Sequence, residues 1–314
     1  MPSVGILGVG LIGRAWANVF ARADWEVVLW DANQDALAKA PDLIADSLNE
    51  LAGHGLVESP EEKAANVRAG SSLAEIVEGA SLVQESGPER VEVKQALFAE
   101  LDQHAAPDTI LASSSSAIVA SRFTEDLPGR GRCLVAHPVN PPHVVPIVEL
   151  CGAPWTDADA IARARAIYDS VGQTTMEVKK EVDGFILNRM QAVLLAEAFR
   201  LIGEGYVTAA DLDKTIKDGL GRRWSFMGPI ETIELNAPGG ILDYCERYGE
   251  TLFRTSKLPV TEEIWSSENC KRVADSWGET PTAEHVAEKS AWRDSQLAAL
   301  QAHLTSRPKF GAPD

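Results

Sequence analysis

Val4-Gly5-Ile6-Leu7-Gly8-Val9-Gly10-Leu11-Ile12-Gly13 opens the chain and runs on into Arg14-Ala15-Trp16-Ala17. A short apolar run, three glycines in the order GxGxxG and a helical pattern read as strand, tight turn and helix. Gly8 permits the turn, Gly10 lets the backbone approach a pyrophosphate, and Gly13 lets helix and strand pack closely. The helix start at Leu11 and Ile12 offers free N–H groups to phosphate oxygens. The next apolar run, Val27-Val28-Leu29-Trp30, closes on Asp31, eighteen residues after Gly13. An acid there accepts hydrogen bonds from the adenosine ribose and repels a 2′-phosphate. No arginine follows in Ala32-Asn33-Gln34, so the motif predicts NAD rather than NADP. An ordinary glycine turn with Asp31 as a helix N-cap is the competing reading.

Further along, β-branched runs alternate with helical patterns, which predicts an α/β fold with a parallel sheet and helices on its faces. Strands are expected at Val4–Leu7, Val27–Trp30, Leu82–Gln84, Ile110–Ala112, Cys133–Ala136, Val145–Leu150 and Thr175–Val178. Helices are expected at Arg90–His104 and Asp157–Val171, and Ala32–Ala69 reads as two helices joined near Gly53-Gly55. After about Glu181 strand patterns stop. Phe185, Ile186, Met190, Val193, Leu194 and Ala198 recur at helical spacing. The fold class is therefore an N-terminal Rossmann-type doubly wound sheet, residues 1–181, followed by an all-α domain, residues 182–314. A loose tail is expected from about Ser306.

The 314 residues suffice for two cores. A net charge of −17 argues against nucleic acids and anionic membrane surfaces as partners. Cys133, Cys151, Cys245 and Cys270 form no CxxC pair, so neither a metal site nor a redox motif is expected, and reduced thiols suit a cytoplasmic protein. The chain enters a strand at once without a basic leader, so no secretory signal is expected. The most apolar helical stretch, Ala192–Ile202, carries Glu197 and Arg200 and is too short to span a bilayer.

Ala136-His137-Pro138-Val139-Asn140-Pro141 ends one apolar run, and Glu149 lies twelve residues later inside Pro146-Ile147-Val148-Glu149-Leu150. Histidine changes charge nearest neutral pH, and a carboxylate can orient it and offset its positive form. Behind a dinucleotide fingerprint, such a pair suggests the proton half of a hydride transfer.

With these motifs the chain resembles the 3-hydroxyacyl-CoA dehydrogenase superfamily from Val4 to about Tyr248. It is most similar to the branch containing lambda-crystallin and L-gulonate 3-dehydrogenase. The likeness rests on Ser113–Ser116, Val135–Pro142, Gly184-Phe185-Ile186-Leu187-Asn188-Arg189 and Gly219-Leu220-Gly221-Arg222-Arg223. It implies His137 as general base, Glu149 as its partner, Ser116 or Ser115 at the substrate hydroxyl, and Asn188 as a donor to the substrate oxygen. Asn140 is implied as support for the catalytic turn and as a substrate-binding residue, and Glu89 and Lys94 as contacts to the nicotinamide half of the coenzyme. An arginine at the position of Arg223, found in the gulonate-like branch and in carnitine dehydrogenases, implies a small free carboxylate substrate held by a guanidinium fork. The expected activity is NAD-dependent oxidation of an L-3-hydroxy acid such as L-gulonate. A 3-hydroxyacyl-CoA dehydrogenase, a carnitine-type enzyme and a non-catalytic NAD-binding protein remain the alternatives. Apolar residues between Phe185 and Phe226 suggest a homodimer.

Overall fold

A computed structural model describes residues 1–256, 261–278 and 281–307. Eight strands form one sheet: β1 (Ser3–Leu7), β2 (Glu26–Trp30), β3 (Val67–Ala69), β4 (Leu82–Glu85), β5 (Ile110–Ser113), β6 (Cys133–Pro138), β7 (Ile147–Gly152) and β8 (Thr174–Glu177). The order is β3-β2-β1-β4-β5-β6-β7-β8. The chain therefore switches direction across the sheet between β1 and β4, and the crevice at the carboxyl ends of those strands is where doubly wound sheets bind ligands.

Alternate strand residues sort onto the two faces. Val4, Ile6, Val27, Leu29, Leu82, Ile110, Leu134 and Val148 pack into one core with Trp16, Phe20, Ile44, Leu48 and Tyr168. The helices on that face are α1 (Leu11–Arg22), α2 (Gln34–Gly53), the short α3 (Pro60–Ala64) and, later in the chain, the one over Ala158–Ser170. Val28, Val83, Leu111, Cys133, Val135 and Cys151 face the other way, onto Ile76, Phe98, Phe123 and Phe185. That face is covered by α4 (Leu73–Val77), α5 (Val91–His104) and α6 (Ser121–Thr124), so Ala158–Ser170 becomes α7.

Two expectations are corrected. The stretch from Ala32 to Ala69 is not helical to its end. α2 breaks at Gly53, α3 has only five residues, and Val67–Ala69 joins the sheet as an edge strand beside β2. Three residues are too few to show an alternating pattern. The sheet is also not wholly parallel, because β6 and β7 pair antiparallel. Only eight residues, rich in proline, separate Pro138 from Ile147. A parallel return needs a crossover of a dozen or more residues, so this connection can only reverse the chain.

The remaining helices are α8 (Leu187–Gly203), α9 (Ala209–Lys214), a π-helical stretch Thr215–Leu220, α10 (Gly221–Trp224), α11 (Pro229–Glu234), α12 (Gly240–Ser256), α13 (Ser267–Trp277) and α14 (Ala283–Thr305), with 3₁₀ turns at Arg130–Arg132 and Glu262–Trp265. Among the described residues no strand follows β8. Contacts divide the chain into two compact units. One holds Met1–Arg189 together with α14 from Glu288, and the other holds Met190–Ala287. Leu297 and Ala298 of α14 join the α1/α2/α7 core, and Ser295 Oγ lies 3.2 Å from His54 Nε2. The tail expected from Ser306 lies, beyond Arg307, outside the described residues.

Candidate active site

The glycine turn does what its spacing requires. Gly8 holds φ +90°, and a Cβ there would meet the Ser86 carbonyl oxygen at 2.7 Å. A Cβ on Gly13 would collide with the Gly8 carbonyl, whereas one on Gly10 would meet nothing within 4 Å. Gly8 and Gly13 are thus closed by the fold, while Gly10 is open at the start of α1. Leu11 is exposed and Ile12 half-buried beside it. No acidic residue stands in the first turn of α1 to repel a phosphate. Asp31 ties the turn to β2: its carboxylate accepts from the Val9 N–H at 2.9 Å and the Asn33 N–H at 2.8 Å. The cap of α2 is Asn33, which accepts from the Ala36 N–H, and so the N-cap reading of Asp31 falls away. An open Gly10, free N–H groups and an acid at the end of β2 fit a dinucleotide without a 2′-phosphate.

The antiparallel reversal builds the acid–base pair. His137 and Glu149 are direct cross-strand partners, so their side chains share one face at short range. His137 Nδ1 lies 2.7 Å from Glu149 Oε2, and both side chains are buried. The other carboxylate oxygen accepts the N–H groups of Ile186 and Leu187, each at 3.0 Å, at the start of α8. Burial alone would raise the Glu149 pKa. The hydrogen bonds from His137, Leu187 and Ile186 outweigh it and hold the carboxyl below its ordinary range. An ionised Glu149 accepts a hydrogen bond from Nδ1–H, and in that neutral tautomer Nε2 carries the ring's free lone pair.

The segment leading into α8 is set by two consecutive left-handed residues, Gly184 (φ +73°) and Phe185 (φ +48°). Such a backbone is uncommon for an aromatic residue. It turns the fully buried Phe185 ring toward His137, 5.3 Å between ring centres, and swings the next two N–H groups onto Glu149. Phe185 and Ile186 therefore precede the helix instead of lying in it, a correction to their helical reading. Periodicity could not reveal it, because the turn is fixed by contacts far away in sequence.

Asn188, the second residue of α8, donates from Nδ2 to the Ser116 carbonyl at 3.0 Å. Ser116 is exposed. Ser115 is buried and fully engaged, donating to Glu89 Oε1 at 2.5 Å and accepting from the Ile118 N–H at 2.7 Å. Of the two competing serines, only Ser116 has a hydroxyl free for a ligand. Asn140 is exposed and its side chain bonds none of the described residues, so it does not tie the turn together as expected. Arg223 lies in α10 of the second unit, exposed, with no acidic partner among the described residues.

Glu89 and Lys94 belong to a cluster whose third member, Glu85, sequence reading missed. Lys94 Nζ is buried and sits 3.0 and 2.8 Å from the two oxygens of the equally buried Glu85. Glu85 also accepts from Ser113 Oγ at 2.5 Å and from the Gly87 N–H at 2.7 Å. Glu89 Oε1 accepts from Ser115 Oγ and from the N–H groups of Ser116, Ala117 and Ile118, while its Oε2 stands 3.6 Å from Lys94. Burial works against charge on Glu89, but the Ser115 and Ala117 hydrogen bonds and the Lys94 charge hold it below the usual carboxylate range. A glutamate closing an apolar strand, two residues from Val83 and so on the same face, was the available signal. On the opposite face Ser114 Oγ joins Trp16 Nε1 (3.1 Å), Gln84 Nε2 (2.7 Å) and Ser86 Oγ (2.9 Å), fixing α1 against β4 and β5.

Glu85, Ser113, His137 and Glu149 thus lie on one face of the sheet, on the neighbouring strands β4, β5, β6 and β7. Among the described residues no cluster of metal-ligating side chains occurs, and no helix is long and apolar enough to cross a membrane.

Comparison with known proteins identifies the family. Residues 3–182 match the 3-hydroxyacyl-CoA dehydrogenase NAD-binding domain and residues 184–272 its C-terminal domain. A lambda-crystallin homolog of Bos taurus is 42% identical over 308 residues, 95% of this chain and 94% of that protein. An L-carnitine dehydrogenase of a Pseudomonas species is 34% identical, covering 97% of this chain and 95% of the relative. Among solved structures, the NAD+-dependent dismutase 5-formyl-3-hydroxy-2-methylpyridine 4-carboxylic acid 5-dehydrogenase superposes with a TM-score of 0.83. It is 26% identical and covers 98% of this chain and all of its own.

Proposed function

The chain belongs to the NAD-dependent 3-hydroxyacyl-CoA dehydrogenase family, and we propose that it oxidises the 3-hydroxyl of a small, free L-3-hydroxy acid, such as L-gulonate, to the 3-keto acid. NAD, when bound, supplies the hydride acceptor. His137 takes the hydroxyl proton on Nε2 while Glu149 holds Nδ1–H and offsets the imidazolium charge. The observation that carries this reading is the buried 2.7 Å His137–Glu149 contact, with its carboxylate tethered at the start of α8. Ser116 offers a free hydroxyl to the substrate oxygen, and Asn188, held near it, polarises that oxygen as a neutral donor.

Substrate class rests on Arg223. Its unpartnered guanidinium suits a carboxylate, which a free hydroxy acid has and a thioester lacks. The net charge of −17 gives a polyphosphate handle such as that of CoA little support. Carnitine is the second reading, favoured by the 34% identity to an L-carnitine dehydrogenase. It too is a free 3-hydroxy acid and uses the same anchor. Arg223→Met is expected to lower kcat/KM for free acids by about 10²-fold, the worth of a charged hydrogen-bonded pair, and to leave thioester turnover unchanged or higher. Unchanged kcat/KM for the free acid refutes the anchor, and a panel of L-gulonate, L-carnitine and 3-hydroxybutyryl-CoA ranks the three substrates. The reading includes a cytoplasmic location with reduced thiols and a homodimer formed through the helical unit.

A further inference from the structure

A buried ion pair is an expensive way to join a strand to a helix, here β4 to α5, because apolar side chains of the same volume often serve stability better. Glu85 and Lys94 are 0% and 1% exposed at the carboxyl end of β4, on the face that also carries His137. They do not stand alone. Lys94 lies between two carboxylates, in bidentate contact with Glu85 and 3.6 Å from Glu89. Glu89 spends Oε1 on the loop from Ser115 to Ile118, which leaves Oε2 and a side chain 41% exposed as the outward face of the cluster. Two negative charges and one positive charge leave a single net negative. The neighbours Arg90 and Glu92 are exposed and opposite in sign, so water screens them and they cancel to first order.

The oxidised nicotinamide ring carries a positive charge that the reduced ring lacks, and the rest of the coenzyme is the same in both forms. A fixed charge near the reacting end therefore separates the two redox forms, and screening is weakest for the buried members, Glu85 and Lys94. Glu89 is tied by hydrogen bonds to Ser116, whose carbonyl takes Asn188, so the cluster adjoins the residues assigned to the reaction. We propose that Glu85 is a specificity-determining residue for coenzyme redox state. By cancelling the charge of Lys94 it leaves Glu89 net negative toward the crevice, so that the site favours NAD+ over NADH.

The inference rests on NAD use by the family and not on the identity of the substrate. It is therefore tested by coenzyme binding without substrate, on the full chain. Kd values for NAD+ and for NADH are measured by fluorescence titration. Glu85→Gln makes the cluster neutral and is expected to lower the ratio Kd(NADH)/Kd(NAD+) by about tenfold. Glu85→Asp keeps the charge and should hold the ratio within about twofold. A Glu85→Gln variant that weakens both forms equally, or moves neither, overturns the proposal and leaves Glu85 a purely structural residue. Should Glu85→Gln fail to fold, Glu89→Gln, at a side chain 41% exposed, removes the same unit of negative charge from the cluster. It should lower the ratio by a similar factor, and an unchanged ratio there also overturns the proposal.

Discussion

The two units treat their apolar and charged side chains in opposite ways. In the sheet unit Val4, Ile6, Val27, Leu29, Leu82, Val83, Leu111, Leu134 and Val148 are fully or almost fully buried, and so are the charged Glu85, Lys94, His137 and Glu149. In the helical unit the fully described α8 and α12 expose Met190, Val193, Leu194, Ile241, Leu242 and Leu252. The hydrophobic residues buried there are mostly alanines, such as Ala196, Ala198, Ala209 and Ala237. A sheet buries both faces under helices of its own unit, while these helices leave apolar side chains uncovered, and a contiguous apolar surface in soluble proteins marks an interaction face. The contrast teaches where chemistry and association belong. Charge can be buried only where a complete core and a full set of hydrogen-bond partners surround it.

The strongest test of that division is His137→Gln. If the buried pair is the reacting centre, kcat should fall by about 10³- to 10⁴-fold with the fold retained, as judged by circular dichroism. Wild-type turnover would move the chemistry elsewhere. Glu149→Gln should cost less, about 10²-fold in kcat, because the amide can still hold the ring but cannot offset the imidazolium charge. The same variant probes stability. The Glu149 pKa is lower folded than its ordinary 4.5, so its ionised form stabilises the native state above that pH, and the contribution is lost as pH falls through the folded value. The stability gap between wild type and Glu149→Gln, followed by denaturant titration, should therefore be present at pH 7 and shrink below about pH 4.5.

The other side of the contrast is tested at Val193, which is 66% exposed. Val193→Asp places a charge on the proposed dimer face, and sedimentation should show self-association weakened by about 10²-fold. A wild-type protein that is monomeric at micromolar concentration would refute the homodimer. The smallest expected effect lies in the sheet unit at His143. Burial, and then the charge of the neighbouring Arg22, push this histidine down from 6.5 to about 4. The unfolded chain gains a proton that the native state refuses, so this residue costs stability as pH falls from 6.5 toward 4. His143→Gln should flatten that limb of the stability–pH curve, and an unchanged limb would assign the acid sensitivity to other groups.

Much of the sheet unit is legible in the sequence because its signals are local. Seven of its eight strands, the glycine turn and Asp31 follow from runs of a few residues. β3 escapes because three residues carry no period, and Phe185 is misplaced because a left-handed turn interrupts an otherwise helical spacing. The Ser115/Ser116 ambiguity could not be resolved from four identical residues. The structure separates the two by their partners, since Glu89 claims the Ser115 hydroxyl and none of the described residues claims that of Ser116.

The sequence by itself determined the α/β class and the coenzyme and singled out His137 and Glu149 as a candidate pair, since each depends on residue type at short spacing. Only the tertiary structure decided that β6 and β7 run antiparallel and so set those two residues face to face. It also decided that the start of α8 holds the carboxylate, that Glu85 pairs with Lys94, and that α14 returns to the sheet unit from Glu288. The physical reason is common to all of these. Each is a contact between residues whose closeness is created by packing, and pattern along the chain carries no trace of the partner across the fold.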